Sequence, residues 1–230
     1  MNIIITGASR GIGRQLALKL ASAGSHKIIL ISRNEQKLHD ICNEADKGSE
    51  LTPLAFDLEH GDYEALSVQI RNLMSEIHIL VNNAGALVNK KFARLNKDDF
   101  AHLMNVNVRS AFLLSQALIP LFENNSHIVN ISSMGGFQGS AKFPGLSLYS
   151  ASKGALAILS ECMAEELKEY GISVNCLALG AAQTEMLSEA FPGYKAPLSA
   201  EQMAGFIADF CLNGNKYFNG KVLPVSLSTP

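Results

Sequence analysis

The stretch Thr6-Gly7-Ala8-Ser9-Arg10-Gly11-Ile12-Gly13 decides the fold, because it follows an apolar run and precedes an amphipathic segment. This succession predicts a strand, a glycine-rich turn and a helix. A side chain at Gly7 would obstruct the turn, and one at Gly11 or Gly13 would keep the backbone from a pyrophosphate. Free N–H groups at a helix N-terminus stabilise negative charge. The stretch therefore predicts a phosphate-binding loop, and an ordinary glycine-rich turn is the alternative. The glycines of the stretch have the spacing GxxxGxG, which differs from the GxGxxG of the common dinucleotide-binding motif.

Outward from this loop, apolar runs alternate with helical patterns along the whole chain. The expected strands are residues 3–6, 27–32, 52–56, 77–82, 127–132, 173–179 and 221–225. The expected helices are residues 11–23, 34–46, 61–75, 97–122, 149–170 and 200–212. Continuous apolar strands suit a parallel sheet that is covered on both faces. We predict an α/β protein with a single doubly wound Rossmann-type domain over residues 1–230, whose seven-stranded, mostly parallel sheet has helices on both faces.

Composition excludes several classes of partner. The formal net charge is −2 and 17% of residues are charged, which disfavours nucleic acid and anionic membrane surfaces. The sequence contains no run of 18 apolar residues, and the chain opens on a strand pattern without the features of an export signal. We therefore expect a cytoplasmic protein with no membrane partner; removal of an export signal is the alternative.

Cysteines and histidines show no metal-ligand spacing, so we expect no metal site. The cysteines are interpreted as reduced core residues, and the histidines as surface or strand-end residues. They are Cys42, Cys162, Cys176 and Cys211, and His26, His39, His60, His78, His102 and His127.

Two arginines predict the choice of dinucleotide. Arg33 lies 20 residues beyond Gly13, where an NAD-selective site carries an acidic residue for the ribose 2′-hydroxyl. Arg33 and Arg10 could instead converge on a 2′-phosphate through charge-assisted hydrogen bonds. The sequence thus favours NADP(H), unless these are surface charges and Glu35 neutralises one of them.

Two long segments, residues 134–148 and 180–198, lack a regular pattern and follow strand ends, so they are expected to form the walls of a substrate pocket. The second segment suggests an apolar pocket under a mobile lid, although the same residues would suit a loop packed on the core. Its large apolar and aromatic side chains are Met186, Leu187, Phe191 and Tyr194.

From Asn2 to about Leu187 the chain resembles the classical short-chain dehydrogenase/reductase family. The motifs that carry the resemblance are the loop of residues 6–13, Asp57 after the third strand, Asn82-Asn83-Ala84-Gly85 after the fourth, Asn107, Ser133, and Tyr149-Ser150-Ala151-Ser152-Lys153. Each motif alone is weak, and together they occur in the family's order. The chain departs from the family in having Leu179-Gly180 where Pro-Gly is usual, a long glycine-rich connection before Tyr149, and no glycine pair near the C-terminus.

The resemblance implies a set of cofactor contacts. Asp57 would contact the adenine ring, although a helix N-cap is the alternative. Thr184 would bind the nicotinamide carboxamide, although it could be a plain loop residue. The full expected set is Thr6, Gly7, Ser9, Arg10, Gly11, Ile12, Gly13, Arg33, Asp57, Leu58, Asn83, Ala84, Gly85, Tyr149, Lys153, Gly180 and Thr184.

Tyr149 and Lys153 are four residues apart on an expected helix and so share one face. A free tyrosine has a pKa of about 10, and a neighbouring ammonium would lower it towards neutrality. The resemblance implies that Ser133, and not Ser132, binds the substrate oxygen and that Asn107 holds a water for proton relay. The expected catalytic residues are therefore Asn107, Ser133, Tyr149 and Lys153.

These residues predict an NADP(H)-dependent oxidoreductase that interconverts a carbonyl and an alcohol by hydride transfer, with Tyr149 as general acid and base. A non-catalytic NADP-binding sensor or scaffold is the first alternative, and a sugar epimerase or dehydratase of the extended relatives is the second. The substrate would be a small molecule, with a 3-oxoacyl compound or another medium-sized carbonyl favoured by the resemblance alone. The resemblance also implies a homodimer or homotetramer, formed through the helices expected at residues 97–122 and 149–170.

Overall fold

The computed structural model describes residues 1–227. Its strands are β1 (Asn2–Thr6), β2 (Lys27–Ser32), β3 (Glu50–Ala55), β4 (Ile77–Asn82), β5 (Phe122–Ser133), β6 (Ser173–Leu179), β7 (Ala182–Gln183), β8 (Leu198–Ser199) and β9 (Val222–Val225). Its α-helices are α1 (Gly11–Ser22), α2 (Glu35–Glu44), α3 (Tyr63–Leu73), α4 (Lys97–Met104), α5 (Ser110–Leu118), α6 (Ser147–Glu166), α7 (Glu185–Ala190) and α8 (Ala200–Asn213).

Seven strands form one parallel sheet in the order β3-β2-β1-β4-β5-β6-β9. Helices α1, α2 and α8 pack on one face, and α3, α5 and α6 pack on the other, each over its own apolar cluster. The predicted doubly wound α/β sheet is confirmed. The strand order reverses between β1 and β4, and in such sheets a crevice opens there at the carboxyl ends of the strands. No helix within residues 1–227 has the length and apolar character needed to cross a membrane.

The helix expected at residues 97–122 is interrupted and ends early. A π-helical segment, Asn105–Arg109, separates α4 from α5, and α5 ends at Leu118. Pro120 lies in the 3₁₀ turn that follows, where its missing N–H cannot continue a helix. Phe122 therefore begins β5, five residues before the predicted start of that strand.

The two segments expected to be irregular contain regular structure. Residues 180–198 contain the helix α7, and β7 and β8 pair at their two ends. Thr184 caps α7, since its Oγ1 accepts a hydrogen bond from the backbone N of Leu187 at 3.2 Å. Residues 134–148 contain a 3₁₀ turn and the first residues of α6. The C-terminal segment, where the sequence lacks the family's glycine pair, lies partly outside the described residues, which end at residue 227.

The expectations for cysteine and histidine need correction. All four cysteines are free thiols, but only Cys176 and Cys211 are buried, and Cys162 is exposed on α6. His127 is buried, because β5 begins earlier than expected and places it in the interior of the sheet. Its ring nitrogens contact the Cys211 carbonyl oxygen at 3.2 Å and Asn175 Nδ2 at 3.0 Å.

Candidate active site

The glycine loop between β1 and α1 has the conformation that its sequence requires. Gly7 and Gly11 have φ angles of +66° and +54°, which disfavour any side chain. A Cβ on Gly13 would lie 2.3 Å from the Gly7 carbonyl oxygen, so this glycine is needed for the loop to pack on itself. That role differs from the predicted one, which was access of the backbone to a ligand. Arg10 occupies the N-cap of α1 without a side-chain capping bond, so no side-chain cap competes for the first N–H groups of α1.

Asn83 and Thr6 join the loop to the end of β4. Asn83 Nδ2 donates to the carbonyl oxygens of Thr6 at 3.0 Å and Gly7 at 3.3 Å. Thr6 Oγ1 accepts from the backbone N of Asn83 and of Ala84, both at 3.0 Å. Thr6 is buried and does not line the cleft beside it, so its geometry suits positioning of the loop and not the predicted contact with a cofactor.

A cleft of about 960 Å³ runs along the carboxyl ends of the strands. All the expected cofactor-binding residues except Thr6 line it, and so do Ser133, Tyr149 and Lys153. The sequence interpretation missed several lining residues, which have no motif of their own: Ser32, Phe56, Glu59, Asn89, His102 and Val106. Of these, only Ser32 had a usable signal, since it ends β2 directly before Arg33.

The end of the cleft beside β2 carries an unpaired cation and an unpaired hydroxyl. Arg33 is exposed and forms no hydrogen bond or ion pair with any residue of the described chain. Ser32 Oγ is buried and also has no hydrogen-bond partner among residues 1–227. Arg10 is paired instead, with its Nη1 2.7 Å from Glu189 Oε1 of α7. Glu35 neutralises neither arginine and lies 3.8 Å from His39 Nε2.

Asp57 does not cap a helix, so that alternative is wrong. The N-cap of α3 is Asp62, whose carboxylate accepts from the backbone N of Glu64 and Ala65. Asp57 Oδ1 accepts from the backbone N of Glu59 at 2.8 Å and stabilises the turn after β3. Asp57 lines the cleft after β3, which is the neighbour of the strand that precedes Arg33.

Ser133 and Tyr149 meet at the carboxyl end of β5. Tyr149 lies in the first turn of α6, and its phenol is close enough to the Ser133 side chain to interact with it. Ser132 points the other way, and its Oγ donates to the Lys153 carbonyl oxygen at 2.7 Å. Strand alternation explains the difference between the two serines. Ser133 is therefore the serine beside Tyr149.

Burial dominates the acidity of Tyr149 and Lys153. Burial raises the pKa of the Tyr149 phenol, and the interaction with Ser133 opposes the shift. Burial lowers the pKa of Lys153 to about 8, and the interaction with Cys176 opposes that shift. The predicted lowering of the Tyr149 pKa by Lys153 is wrong for this structure. The reason is that burial is the largest cause of the Tyr149 shift, whereas Lys153 Nζ donates to the Ile131 carbonyl oxygen at 2.8 Å.

Asn107 lies in the π-helical segment beneath the cleft and is buried. Its Oδ1 accepts from the Ala86 N at 2.7 Å, and its Nδ2 donates to the Ala86 carbonyl oxygen at 3.0 Å and to Ser152 Oγ at 2.8 Å. A Cβ on Gly85 would lie 3.3 Å from Lys153 Nζ and 3.4 Å from Asn107 Oδ1. Asn107 therefore ties the loop after β4 to α6, close to Lys153. Its side chain does not line the cleft.

The parallel sheet, the glycine loop at a helix N-terminus and the cleft at the strand ends define a dinucleotide-fold protein. A family model described as short chain dehydrogenase matches residues 1–195. The chain belongs to the short chain dehydrogenase family, as the resemblance implied, and this is a family of oxidoreductases.

Two curated relatives illustrate the match. The 3-oxoacyl-[acyl-carrier-protein] reductase FabG of Aquifex aeolicus is 34% identical over 97% of this chain and 94% of its own length. The NADP-dependent 3-hydroxy acid dehydrogenase of Schizosaccharomyces pombe is 31% identical over 84% of this chain and 76% of its own length.

Solved structures agree with the fold. A short chain dehydrogenase from Burkholderia cenocepacia in complex with NADP is 25% identical, with a TM-score of 0.85 over 97% of this chain and 95% of that one. A putative short chain dehydrogenase from Pseudomonas syringae is 26% identical, with a TM-score of 0.89 over 98% and 94% of the two chains.

Proposed function

We propose that this protein is an NADP(H)-dependent oxidoreductase that interconverts a carbonyl and an alcohol, with Tyr149 as the general acid and base. The observation that carries the proposal is the meeting of Tyr149 with Ser133 on the wall of a dinucleotide-type cleft, with Lys153 buried one helical turn away. A hydroxyl pair of this kind can hydrogen-bond a carbonyl oxygen and give it a proton.

The residues of the cleft fit NADP(H). The glycine loop and the first residues of α1 line the cleft, where the N–H groups of a helix N-terminus could bind a pyrophosphate. The unpaired Ser32 hydroxyl and Arg33 guanidinium could hold a 2′-phosphate, and Asp57 could contact the adenine. Thr184 lines the same cleft, but its hydroxyl already caps α7. When bound, NADP(H) supplies or receives the hydride.

The protein side chains would manage the proton. A raised pKa keeps the phenol of Tyr149 protonated at neutral pH, so it can donate to a carbonyl oxygen. Ser133 would hydrogen-bond the same oxygen as negative charge develops there. Lys153, a water molecule and Asn107 would return a proton to Tyr149. The reverse oxidation would use the same groups with Tyr149 deprotonated.

The substrate proposal starts from the relatives. One is named for the reduction of 3-oxoacyl groups on acyl carrier protein and another for the oxidation of 3-hydroxy acids, so a 3-oxoacyl compound or another medium-sized carbonyl is proposed here. A homodimer or homotetramer is also proposed, supported by the exposed Phe112 and Ile158 on α5 and α6. The cytoplasmic location and the single domain over residues 1–230 remain predictions.

The test is loss of NADPH absorbance with small ketones, aldehydes, quinones and a 3-oxoacyl thioester. Tyr149→Phe is expected to abolish turnover and leave the Kd for NADPH within a few fold. Tyr170→Phe makes the same change at an exposed tyrosine and should keep full activity. Retained turnover in Tyr149→Phe would disprove the role of this phenol. NADPH binding without turnover of any compound would favour a sensor or scaffold, and conversion without net loss of NADPH would favour an epimerase.

A further inference from the structure

The part of the cleft beside Tyr149 is enclosed by apolar side chains. Asn89, after β4, binds both neighbouring walls: its Nδ2 donates to the Ala190 carbonyl oxygen at 2.9 Å, and its Oδ1 lies against Gly145, four residues before Tyr149. Helix α7 and the connection before α6 therefore face each other across this part of the cleft. The large apolar and aromatic side chains that line the cleft from these two segments are Met134, Phe143, Leu146, Met186, Leu187, Phe191 and Tyr194.

Helix α7 contributes both apolar and acidic side chains to the lining of the cleft. Met186 and Leu187 are half-buried, whereas Glu185 and Glu189 are exposed. The helix is fixed at its beginning by the Thr184 cap and at its end by Asn89. Its position over the cleft is thus set by hydrogen bonds, and its side chains supply apolar surface to a bound molecule.

The cations that line the cleft either lie away from Tyr149 or are already bonded to other groups. Within residues 1–227, the lysine and arginine side chains that line it are Arg10, Arg33 and Lys153. Arg33 lies beyond β2, Arg10 pairs with Glu189, and Lys153 donates to the Ile131 carbonyl oxygen. The histidine on the wall, His102, contacts Glu59 at 2.8 Å near the Asp57 turn.

Two lysines near this part of the cleft, Lys90 and Lys142, are engaged, whereas Lys195 is exposed, has no partner within residues 1–227 and does not line the cleft. Lys90 Nζ lies 2.6 Å from Asp99 Oδ2, so its charge is neutralised. Lys142 Nζ donates to the Phe137 carbonyl oxygen and to Ser140 Oγ, both at 2.7 Å, and does not line the cleft. Within residues 1–227, the one cation that lines the cleft beside Tyr149 is Lys153, whose Nζ donates to the Ile131 carbonyl oxygen. The Glu185 carboxylate lines the cleft without a partner in the described chain and would repel an anionic substituent.

We infer that the substrate is a carbonyl compound whose groups near the reacting carbon are uncharged and mainly apolar, and that the site discriminates against carboxylates and phosphates there. The inference rests on the proposed function and narrows it. An anion that loses water without gaining a partner is bound poorly, whereas apolar groups gain from burial against the lining. A carbonyl joined to an uncharged ester or thioester therefore fits, and a free oxo acid does not.

The test uses two pairs of compounds that differ in one charge: methyl 4-oxopentanoate with 4-oxopentanoate, and methyl 4-formylbenzoate with 4-carboxybenzaldehyde. In the aliphatic pair, two CH2 groups separate the ketone from the carboxylate or ester, so the electrophilicity of the ketone is nearly the same in both compounds. The kcat/KM with NADPH is expected to be at least about 30-fold higher for each ester. Met186→Lys adds a cation to the apolar wall and is expected to reduce that ratio at least about tenfold.

Ser188→Lys is the matched control, because Ser188 is an exposed residue of the same helix that does not line the cleft. It should leave the ratio within about threefold of the wild-type value, and a Kd for NADPH near the wild-type value will show that each variant is folded. Equal efficiencies for ester and acid in the wild-type protein would overturn this inference alone. Absence of turnover with these compounds and with the whole carbonyl panel would overturn the proposed function and this inference with it.

Discussion

Replacement of Arg33 by aspartate is the sharpest test of the cofactor proposal. Arg33 is a cleft-lining cation that no protein group in the described chain neutralises, and the unpaired hydroxyl of Ser32 lies next to it in sequence. Arg33→Asp removes the proposed partner of the 2′-phosphate and puts a like charge in its place. The exposed position of Arg33 means that the substitution should not disturb the core.

The magnitude follows from the bonds that would be lost and gained. Hydrogen bonds to charged groups contribute about 1.5–3 kcal/mol, and repulsion in a solvated site adds about 1 kcal/mol. Together these terms amount to about 2.5–4 kcal/mol, which predicts roughly a 70- to 800-fold loss in kcat/KM for NADPH. The new carboxylate can accept a hydrogen bond from the 2′-hydroxyl of NADH, which predicts a gain of a few fold for that cofactor.

The assay is the ratio of kcat/KM for NADPH to that for NADH with one carbonyl substrate. Arg71→Asp is the matched control, because it makes the same charge change at an exposed position on α3 away from the cleft. Arg33→Lys keeps the charge and should stay within about tenfold of wild type. A ratio in Arg33→Asp within threefold of wild type would refute the assignment of Arg33 to the 2′-phosphate.

Three further predictions follow from the contacts. Gly13→Ala places a Cβ 2.3 Å from the Gly7 carbonyl oxygen and should lower Tm by several degrees and weaken NADPH binding, whereas Gly205→Ala on open helix surface should not lower Tm. Glu189→Gln frees Arg10 and should tighten NADPH binding several fold in a fluorescence titration, and an unchanged Kd would argue against a phosphate contact by Arg10. Burial lowers the pKa of His127 to about 4, so the unfolded chain takes up this proton first as the pH falls below about 6.5, and about 3 kcal/mol of stability should be lost by pH 4. Urea unfolding at several pH values gives the free energy of unfolding as a function of pH. Between pH 6.5 and 4 this free energy should fall less steeply for His127→Gln than for wild type, and equal dependence on pH would exclude His127 as the titrating group.

The sheet could be predicted because its signals are local. Most strands of the main sheet contain a short apolar run, and the loop of residues 6–13 places the first βα unit in register. Ser133, Tyr149 and Lys153 were implied by the family resemblance, and helical spacing placed Tyr149 and Lys153 on one face of α6. The early end of α5 was also signalled, by Pro120, but the apolar residues around it continue the helical pattern and outweighed that signal.

Other features depend on contacts between distant segments. The pKa directions of Tyr149 and Lys153 come from burial, which spacing along one helix does not reveal. The partner of Arg10 is Glu189, far away in sequence, so proximity to Glu35 was misleading. The short helix α7 had a signal in Thr184 followed by Glu185, a good N-cap and an acidic first turn, but its six residues give too little periodicity to predict a helix.

The burial of the Tyr149 phenol also bears on the direction of the proposed reaction. A raised pKa stabilises the protonated phenol, which is the state that can protonate a carbonyl oxygen. Alcohol oxidation needs the phenolate, and the buried Lys153, whose pKa is lowered to about 8, offers it less positive charge as the pH rises. Both shifts act in the same direction, so we expect the proposed oxidation to reach its maximum rate at a higher pH than the proposed reduction. The same burial that removes water from an apolar substrate thus also sets the protonation state that its reduction requires.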